Sequence, residues 1–561
     1  DVPFDDVLRD ALEPRNRPVI DMFFNEPAVH RLVERGHVLP FDRYNELEAR
    51  ASSLRRKLAR LDPGDPPGAG VDERPGESPA QGDADARARV DALRAELAAV
   101  REQLDTPAFD LGGRADVVIH VIRPEGEGDL LEETTTVHLK QANVVFEHFP
   151  YPLMVDAGTL EIDDGVVKLS GIEADGVFGG RGELRGEVRI ATDENPDAPL
   201  EPDVRVVATD LPLDAALIDA LPAPQNQWLR DLRLSGEIDV AGRIMTDEQD
   251  QPDIDMRVRF TNATAKPGDE LTLEDLDGEA ALSLHDIEVK RLTGRFGDAE
   301  LSIEGAADWR DGEQRRMDFT ATLKGMAFDQ PVFEVAEPFF QVDPQWKRSL
   351  ERYAPRGRFD ATLRYARAGA DEPAMTLAVS PRELDLSYQE RRVAIDEPTG
   401  RLIVRPDRVE LDRLGGRVGG ATFAIDGVVD MAEATRAELK LRVEGEALDD
   451  RAAAVLPEPL RRIIDETAFE GGYRLDLKPI TFLPAAEGAT PRLTARGTLW
   501  IEGGRFELGL PVRDFKGELE LAASQAAGDD RPRLSIGVKG DQAVVAGRKV
   551  TDIHAVFTRP A

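Results

Sequence analysis

Seven histidines, one glycine-dense run and several acidic loops are the residues of this 561-residue chain whose types could do chemistry. The histidines are His30, His37, His120, His138, His148, His285 and His554. None forms the His-Glu-x-x-His pair that puts two imidazoles on one helix face for zinc. No Gly-x-Ser-x-Gly elbow is present to lift a serine nucleophile above a strand–helix turn. Gly179-Gly-Arg-Gly-Glu-Leu-Arg-Gly186 has the glycine density of a phosphate loop. Such loops open a helix whose N-terminal amides hold the phosphate. Here strand patterns flank the run on both sides and no lysine follows, so the glycines read as bends in strands. Asp247-Glu-Gln-Asp-Gln-Pro-Asp-Ile-Asp255 matches neither a calcium-loop spacing nor a nonapeptide repeat, and reads as a solvated acidic turn. The chain has no cysteine, which excludes disulfides and thiolate metal sites. No cofactor, no metal and no enzymatic activity are expected.

What remains is an apolar face repeated strand after strand. Met256, Val258 and Phe260 alternate with Arg257 and Arg259, and Leu301 and Ile303 alternate with Glu300, Ser302 and Glu304. Period two with one greasy side means a sheet with one dry and one wet face. The expected lining of that face is Leu184, Ile238, Val240, Met256, Val258, Phe260, Leu282, Leu284, Leu301, Ile303, Phe359, Leu377, Val379, Leu402, Val404, Phe423 and Ile425. Such a face either fills a closed core or stays open as a trough, and alternation does not separate the two. Aromatics are only 6% of the chain, few for filling a wide interior, and charge sits mostly at the alternate positions. Both features lean towards the trough.

The elements that must carry this face recur. Gly176-Val-Phe-Gly-Gly-Arg-Gly-Glu-Leu-Arg-Gly186, Gly294-Arg-Phe-Gly-Asp-Ala-Glu-Leu-Ser-Ile-Glu-Gly305 and Gly416-Arg-Val-Gly-Gly-Ala-Thr-Phe-Ala-Ile-Asp-Gly427 share one pattern, with first glycines 118 and 122 residues apart. A degraded copy starts at Gly537-Val-Lys-Gly540. Gly158, Gly278, Gly400 and Gly517 repeat at spacings of 120, 122 and 117. A fixed period of this kind marks an array of stacked units. Turns are expected at Asp164-Gly165, Asp277-Gly278 and Gly503-Gly504. A short helix is expected once per repeat, at Gln225 to Leu232, Pro344 to Tyr353 and Pro459 to Glu466, capping or plugging the sheet.

Val2 to Leu12 matches Leu211 to Leu221 nearly position by position, so residues 1–24 read as the end of a truncated repeat. An inserted helical hairpin occupies 25–108. Leu47, Ala51, Leu54, Leu58 and Leu61 form one heptad seam, and Val90, Leu93, Leu97, Val100 and Leu104 form a second. A flexible acidic loop, rich in Pro, Gly and Asp, joins them. The seams satisfy each other and the period resumes in phase, so the insertion is expected to be dispensable for the fold; it could also recruit a protein partner. β repeats follow at 109–235, 236–356 and 357–470, with a partial repeat at 471–561.

Lys+Arg 71 against Asp+Glu 108 gives a net charge of −37, which repels phosphate backbones, so no nucleic-acid partner is expected. No run approaches the roughly 18 apolar residues of a membrane-spanning helix. The chain starts in mid-repeat at Asp1, so it reads as a fragment whose membrane contact lies in segments outside it.

At the Leu-x-Gly-Arg-apolar-Gly stretches, Leu292 to Gly297 and Leu414 to Gly419, the chain resembles the AsmA-like superfamily of envelope proteins, which includes AsmA, TamB and YhdP. The likeness covers about residues 1–24 and 109–561; Val177-Phe178 lacks the arginine. The resemblance implies a mainly β fold, an elongated U-shaped, taco-like groove of about 120-residue repeats. It also implies a periplasmic location with an inner-membrane anchor, and bridge-like transfer of phospholipid along the apolar groove towards the outer membrane. The family implies no catalytic residues. The alternative expectation is a non-transporting envelope scaffold or binding module with a filled β core.

Overall fold

In a computed structural model, residues 2–4, 6–12, 17–61, 81–122, 132–147, 149–190, 200–223, 225–246, 252–268, 271–310, 316–328, 354–369, 373–388, 391–430, 436–449, 451–452, 468–483, 492–507, 510–525 and 533–559 are described. The period-two segments are strands, and the chain is mainly β. Among the described residues, twenty-four strands form one antiparallel sheet that does not close into a barrel. Two compact units divide it: unit 1 holds residues 1–267 and 279–284, and unit 2 holds 268–278 and 285–561.

Unit 1 contains β1 (Val2–Pro3), α1 (Asp6–Ala11), α2 (Arg17–Asp21), α3 (Glu26–Glu34), α4 (Phe41–Leu61) and α5 (Gln81–Leu104). It continues with β2 (Gly112–Ile122), β3 (Glu132–Phe146), β4 (Phe149–Asp163), β5 (Val166–Gly176), β6 (Arg181–Arg189) and β7 (Glu201–Pro212). Then come α6 (Ala215–Ala220), α7 (Gln225–Leu232), β8 (Ser235–Thr246) and β9 (Pro252–Ala265). From β1 to β9 each strand pairs antiparallel with the next. The division between the units runs through β10 (Leu273–Leu282).

Residues 1–24 pack onto the sheet. Phe4, Leu8, Leu12, Val19 and Ile20 are buried on the apolar face of the sheet, against Val137, Leu139, Val155 and Leu160. Each side chain so buried is worth about 2 kcal/mol by area removed from water, an upper figure because unfolded chains already hide some surface. That gain holds two helices too short to be stable alone.

The helical hairpin is α4 and α5. Leu47, Ala51, Leu54, Leu97 and Val100 are buried between them, with Leu58, Leu93 and Leu104 packed alongside, as the heptads require. Leu61 falls off the seam and is 49% exposed. Arg50 Nη2 donates to Glu96 Oε1 at 2.8 Å across the pair. The insertion as a whole is not self-contained, however. α3, absent from the sequence reading, buries Ala28 and Leu32, together with Val38, against Phe109 and Val145 of the sheet region. The base of the hairpin is tied by Leu39 N donating to Pro107 O and Phe109 N donating to Leu39 O, both at 2.9 Å.

Unit 2 contains β11 (Asp286–Phe296), β12 (Ala299–Asp308), β13 (Arg316–Ala327), β14 (Arg356–Ala368), β15 (Ala374–Tyr388), β16 (Arg391–Val404) and β17 (Arg408–Val418). It continues with β18 (Ala421–Asp430), β19 (Arg436–Gly445), β20 (Glu470–Leu483), β21 (Arg492–Glu507), β22 (Pro511–Gln525), β23 (Arg533–Val545) and β24 (Arg548–Arg559). Consecutive strands again pair antiparallel.

Asp164-Gly165 is a turn, as its residues predict. Asp277-Gly278 and Gly503-Gly504 are not turns; they lie inside β10 and β21. The glycines serve close approach instead. A Cβ on Gly278 would sit 2.2 Å from the Arg291 carbonyl oxygen, and one on Gly504 would sit 2.4 Å from Ile501 Cγ2. The helix expected at Gln225 to Leu232 is α7, but it buries no residue of its own. The helices expected at Pro344 to Tyr353 and Pro459 to Glu466 lie outside the described residues.

Candidate functional site: the apolar face of the sheet

Registered pairing turns single-strand alternation into rows that cross many strands. In unit 2 one row runs Leu301, Leu323, Ala361, Val379, Leu402, Leu411 and Gly427, from β12 to β18. It continues through Leu439, Ile480, Ala495, Ala523 and Leu534 to β23. A parallel row runs Ile303, Ala321, Leu363, Leu377, Val404 and Val409. Ile425 leads through Leu441 to Leu477, and Phe423 through Val443 to Leu475. Directly opposed residues share a face, so no charged side chain interrupts these rows.

Unit 1 is built the same way. Leu184, Val206, Gly242 and Met256 form one row, Ala208, Val240 and Val258 a second, and Leu211, Ile238 and Phe260 a third. Of the expected lining residues, Ile238, Leu301, Phe359, Leu377 and Val379 are buried. Leu184, Val240, Met256, Val258, Phe260, Leu282, Ile303, Leu402, Val404, Phe423 and Ile425 are half-buried on their strands. Leu284 is half-buried but lies past the end of β10, where its carbonyl accepts from Gln225 Nε2 at 3.4 Å.

The opposite face carries ion pairs. Arg364 on β14 grips Asp318 on β13 with two hydrogen bonds, at 3.1 and 2.8 Å. These hold the Asp318 carboxyl below its ordinary value. Hydrogen bonds from Arg243 do the same for Asp203. Arg442 donates to Asp476 at 2.8 Å and depresses the carboxyl of one of the two buried polar residues among those described. Charge outside and aliphatic groups inside are thus the two outputs of one alternation.

Coverage of the apolar face is where the sequence reading missed most. In unit 1, α1 and α2 pack in one core with residues of β2 to β7, and α6 packs on Tyr151 of β4 and Ile238 of β8. Leu213, Leu217 and Ala220 follow helical spacing, a signal for this cover that the sequence does carry. In unit 2, Arg451 and Ala452 are helical, and Ala452 packs against Ala421, Val443 and Leu475.

Among the described residues no group of three or more His, Asp or Glu side chains could hold a metal ion. Among them, also, no helix is long and apolar enough to cross a membrane. No family model, no curated protein and no solved structure matches this chain.

Proposed function

We propose that the chain carries lipid: acyl chains lie along the apolar face while headgroups stay in water. The observation that carries this reading is the row from Leu301 to Leu534, aliphatic or glycine at every one of twelve strands. A lipid leaving a bilayer exposes acyl CH₂ groups at about 0.8 kcal/mol each. A face that replaces those contacts at every strand lowers that barrier with no cofactor and no covalent step. The resemblance to AsmA-like proteins extends the proposal: the repeats are units of about 120 residues of a bridge-like groove in the periplasm of a double-membrane bacterium. Phospholipid is the cargo, and the anchor and the envelope contacts are supplied outside these residues.

One backbone feature supports the repeat. Gly186, Gly305 and Gly427, the closing glycines of the three motifs, have φ of +148°, +152° and +147°. A Cβ at each would lie 2.2, 2.3 and 2.2 Å from a carbonyl oxygen of the next strand. The alternative, a scaffold with a filled core, draws on unit 1, where helices cover the face.

The test contrasts two neighbours on β18. Ile425 is half-buried on the apolar face, and Thr422 is exposed on the other. Ile425→Asp puts a carboxylate where acyl chains would lie, an unpaired charge in an apolar place. Photo-crosslinking to a diazirine-bearing phospholipid and a cellular assay of lipid transfer should both fall about tenfold or more for Ile425→Asp, and hold for Thr422→Asp. Equal crosslinking and transfer by a folded Ile425→Asp sinks the lipid reading, and cooperative unfolding of that variant favours the filled core.

A further inference from the structure

α6 is six residues long, too short to persist without docking. Its buried Ala216, Leu217 and Ala220, with Leu213 just before the helix, pack with Tyr151 and Ile238, and Val240, Val258 and Phe260 lie against the same cluster. The helix therefore sits over Tyr151 of β4 and Ile238 of β8, at the edge of the apolar rows that run on through Val258 and Phe260 of β9. Its own cap is sound on one side only: Asp214 Oδ1 accepts from Leu217 N at 2.7 Å. Asp214 Oδ2 and the Tyr151 hydroxyl are buried with no hydrogen-bond partner among the described residues, and Tyr151 is 0% exposed. Buried polar groups are normally paired, and each one left unpaired works against the closed state. Burial accordingly pushes the Asp214 carboxyl above its ordinary value, with the Leu217 and Ala216 amides pulling the other way.

The compensation lies at the other end of α6. Asp219, its side chain 16% exposed, is shared by three cationic or ring donors from outside the helix. Arg35 Nη1 lies 2.5 Å and His37 Nε2 3.1 Å from Asp219 Oδ2, both just after α3. Arg230 of α7 pairs with Asp219 Oδ1. A seat with two unpaired polar atoms, closed by one carboxylate that gathers two separate segments, is built to open.

We propose that α6 is a releasable plug on the apolar face of unit 1, clamped shut through Asp219, and that the strip beneath it is a gated acyl-chain binding site. The ligand half of this rests on the lipid reading; the plug half does not. Because the chain has no cysteine, one introduced thiol reports alone. In full-length Val258→Cys, maleimide should react slowly. Adding Asp219→Asn should raise the rate about tenfold, whereas Tyr151→Phe, which removes a partnerless hydroxyl, should lower it. The unit 2 reporter Val404→Cys should react unchanged in both backgrounds. An unchanged rate at Val258→Cys in the Asp219→Asn background overturns the plug, and so does an equal rise at both reporters, which means general loosening. A rise produced by Tyr151→Phe overturns it as well. Phosphatidylglycerol with a diazirine acyl chain separates the two readings. Crosslinks in unit 2 with no Asp219 effect on thiol labelling leave the lipid reading standing without the plug. Selective labelling with no crosslink in either unit supports the plug and ends its assignment to acyl chains.

Discussion

At the scale of single residues, the sheet depends on glycine where a carbonyl of the neighbouring strand leaves no room. Gly427 has φ +147°, and a Cβ there would sit 2.2 Å from Glu438 O. Gly537, also within a strand, lacks both features: its nearest would-be contacts are Glu520 Cβ at 3.6 Å and Oε2 at 3.7 Å, ordinary van der Waals distances. Gly427→Ala should therefore destabilise the protein by about 2 kcal/mol in urea unfolding, from strain and backbone displacement. Gly537→Ala should change stability by less than about 0.5 kcal/mol, or stabilise slightly by restricting the unfolded chain. Equal losses at the two positions would remove the steric account. Two tyrosines, Tyr151 and Tyr473, show the complementary problem, a buried hydroxyl placed among apolar groups. Burial, and then the field of Asp449, push the Tyr473 phenol up to about 12, and its hydroxyl has no partner among the described residues.

At the scale of elements, the useful distinction is between parts packed on themselves and parts packed on the sheet. α4 and α5 bury their seam against each other, whereas α3 buries Ala28 and Leu32 against Phe109 and Val145. Replacing residues 42–104 by a short linker should leave the β fold intact, with a Tm within a few degrees of the parent, about what a surface change produces. Removing 25–108 entirely should cost far more, because it exposes the core under α3 and breaks the Arg35 and His37 contacts to Asp219. Equal Tm values for the two deletions would show that α3 contributes nothing. This division also marks how far the sequence could be read. Heptad spacing and strand alternation are local patterns, and they were legible from Leu47 to Leu104 and from Met256 to Ile425. The glycines at Gly278 and Gly504 misled, since an Asp-Gly or Gly-Gly pair signals a turn locally while the structure uses it for close packing between strands. The clamp was illegible in principle, because Asp219 meets Arg35 and His37 across 184 and 182 residues, and no periodicity encodes such a meeting. α1 and α6 were seen as matching stretches, yet their role as covers depends on which face the sheet turns towards them.

At the scale of the whole molecule, two electrostatic effects oppose each other as pH falls. A net charge of −37 makes the folded chain repel itself, and that repulsion weakens as carboxylates protonate towards the isoelectric point near 4.7. Specific carboxylates pull the other way. Asp203, Asp318 and Asp476 are depressed by hydrogen bonds from Arg243, Arg364 and Arg442. Burial alone would raise Asp219, but hydrogen bonds from His37, Arg230 and Arg35 together hold it low. A carboxyl whose folded value is depressed contributes stability that is fully present above its unfolded value, near 4, and is lost as pH falls through the folded value. Asp214, raised by burial, contributes stability below its unfolded value that is lost as pH rises through the folded one. Chemical unfolding should thus show stability rising from pH 8 to about 5, as repulsion fades, and falling below about 4, as the paired carboxylates take up protons. Salt separates the contributions. Raising ionic strength from about 0.01 to 0.15 M shortens the screening length from about 30 to 8 Å, so the gain between pH 8 and 5 should shrink in salt. The loss below pH 4 involves partners in direct contact, which salt screens less, and should persist. A stability that fell steadily from pH 8 to 5 would overturn the repulsion account, and an acid limb abolished by salt would mean that the ion pairs on the outer face hold nothing together.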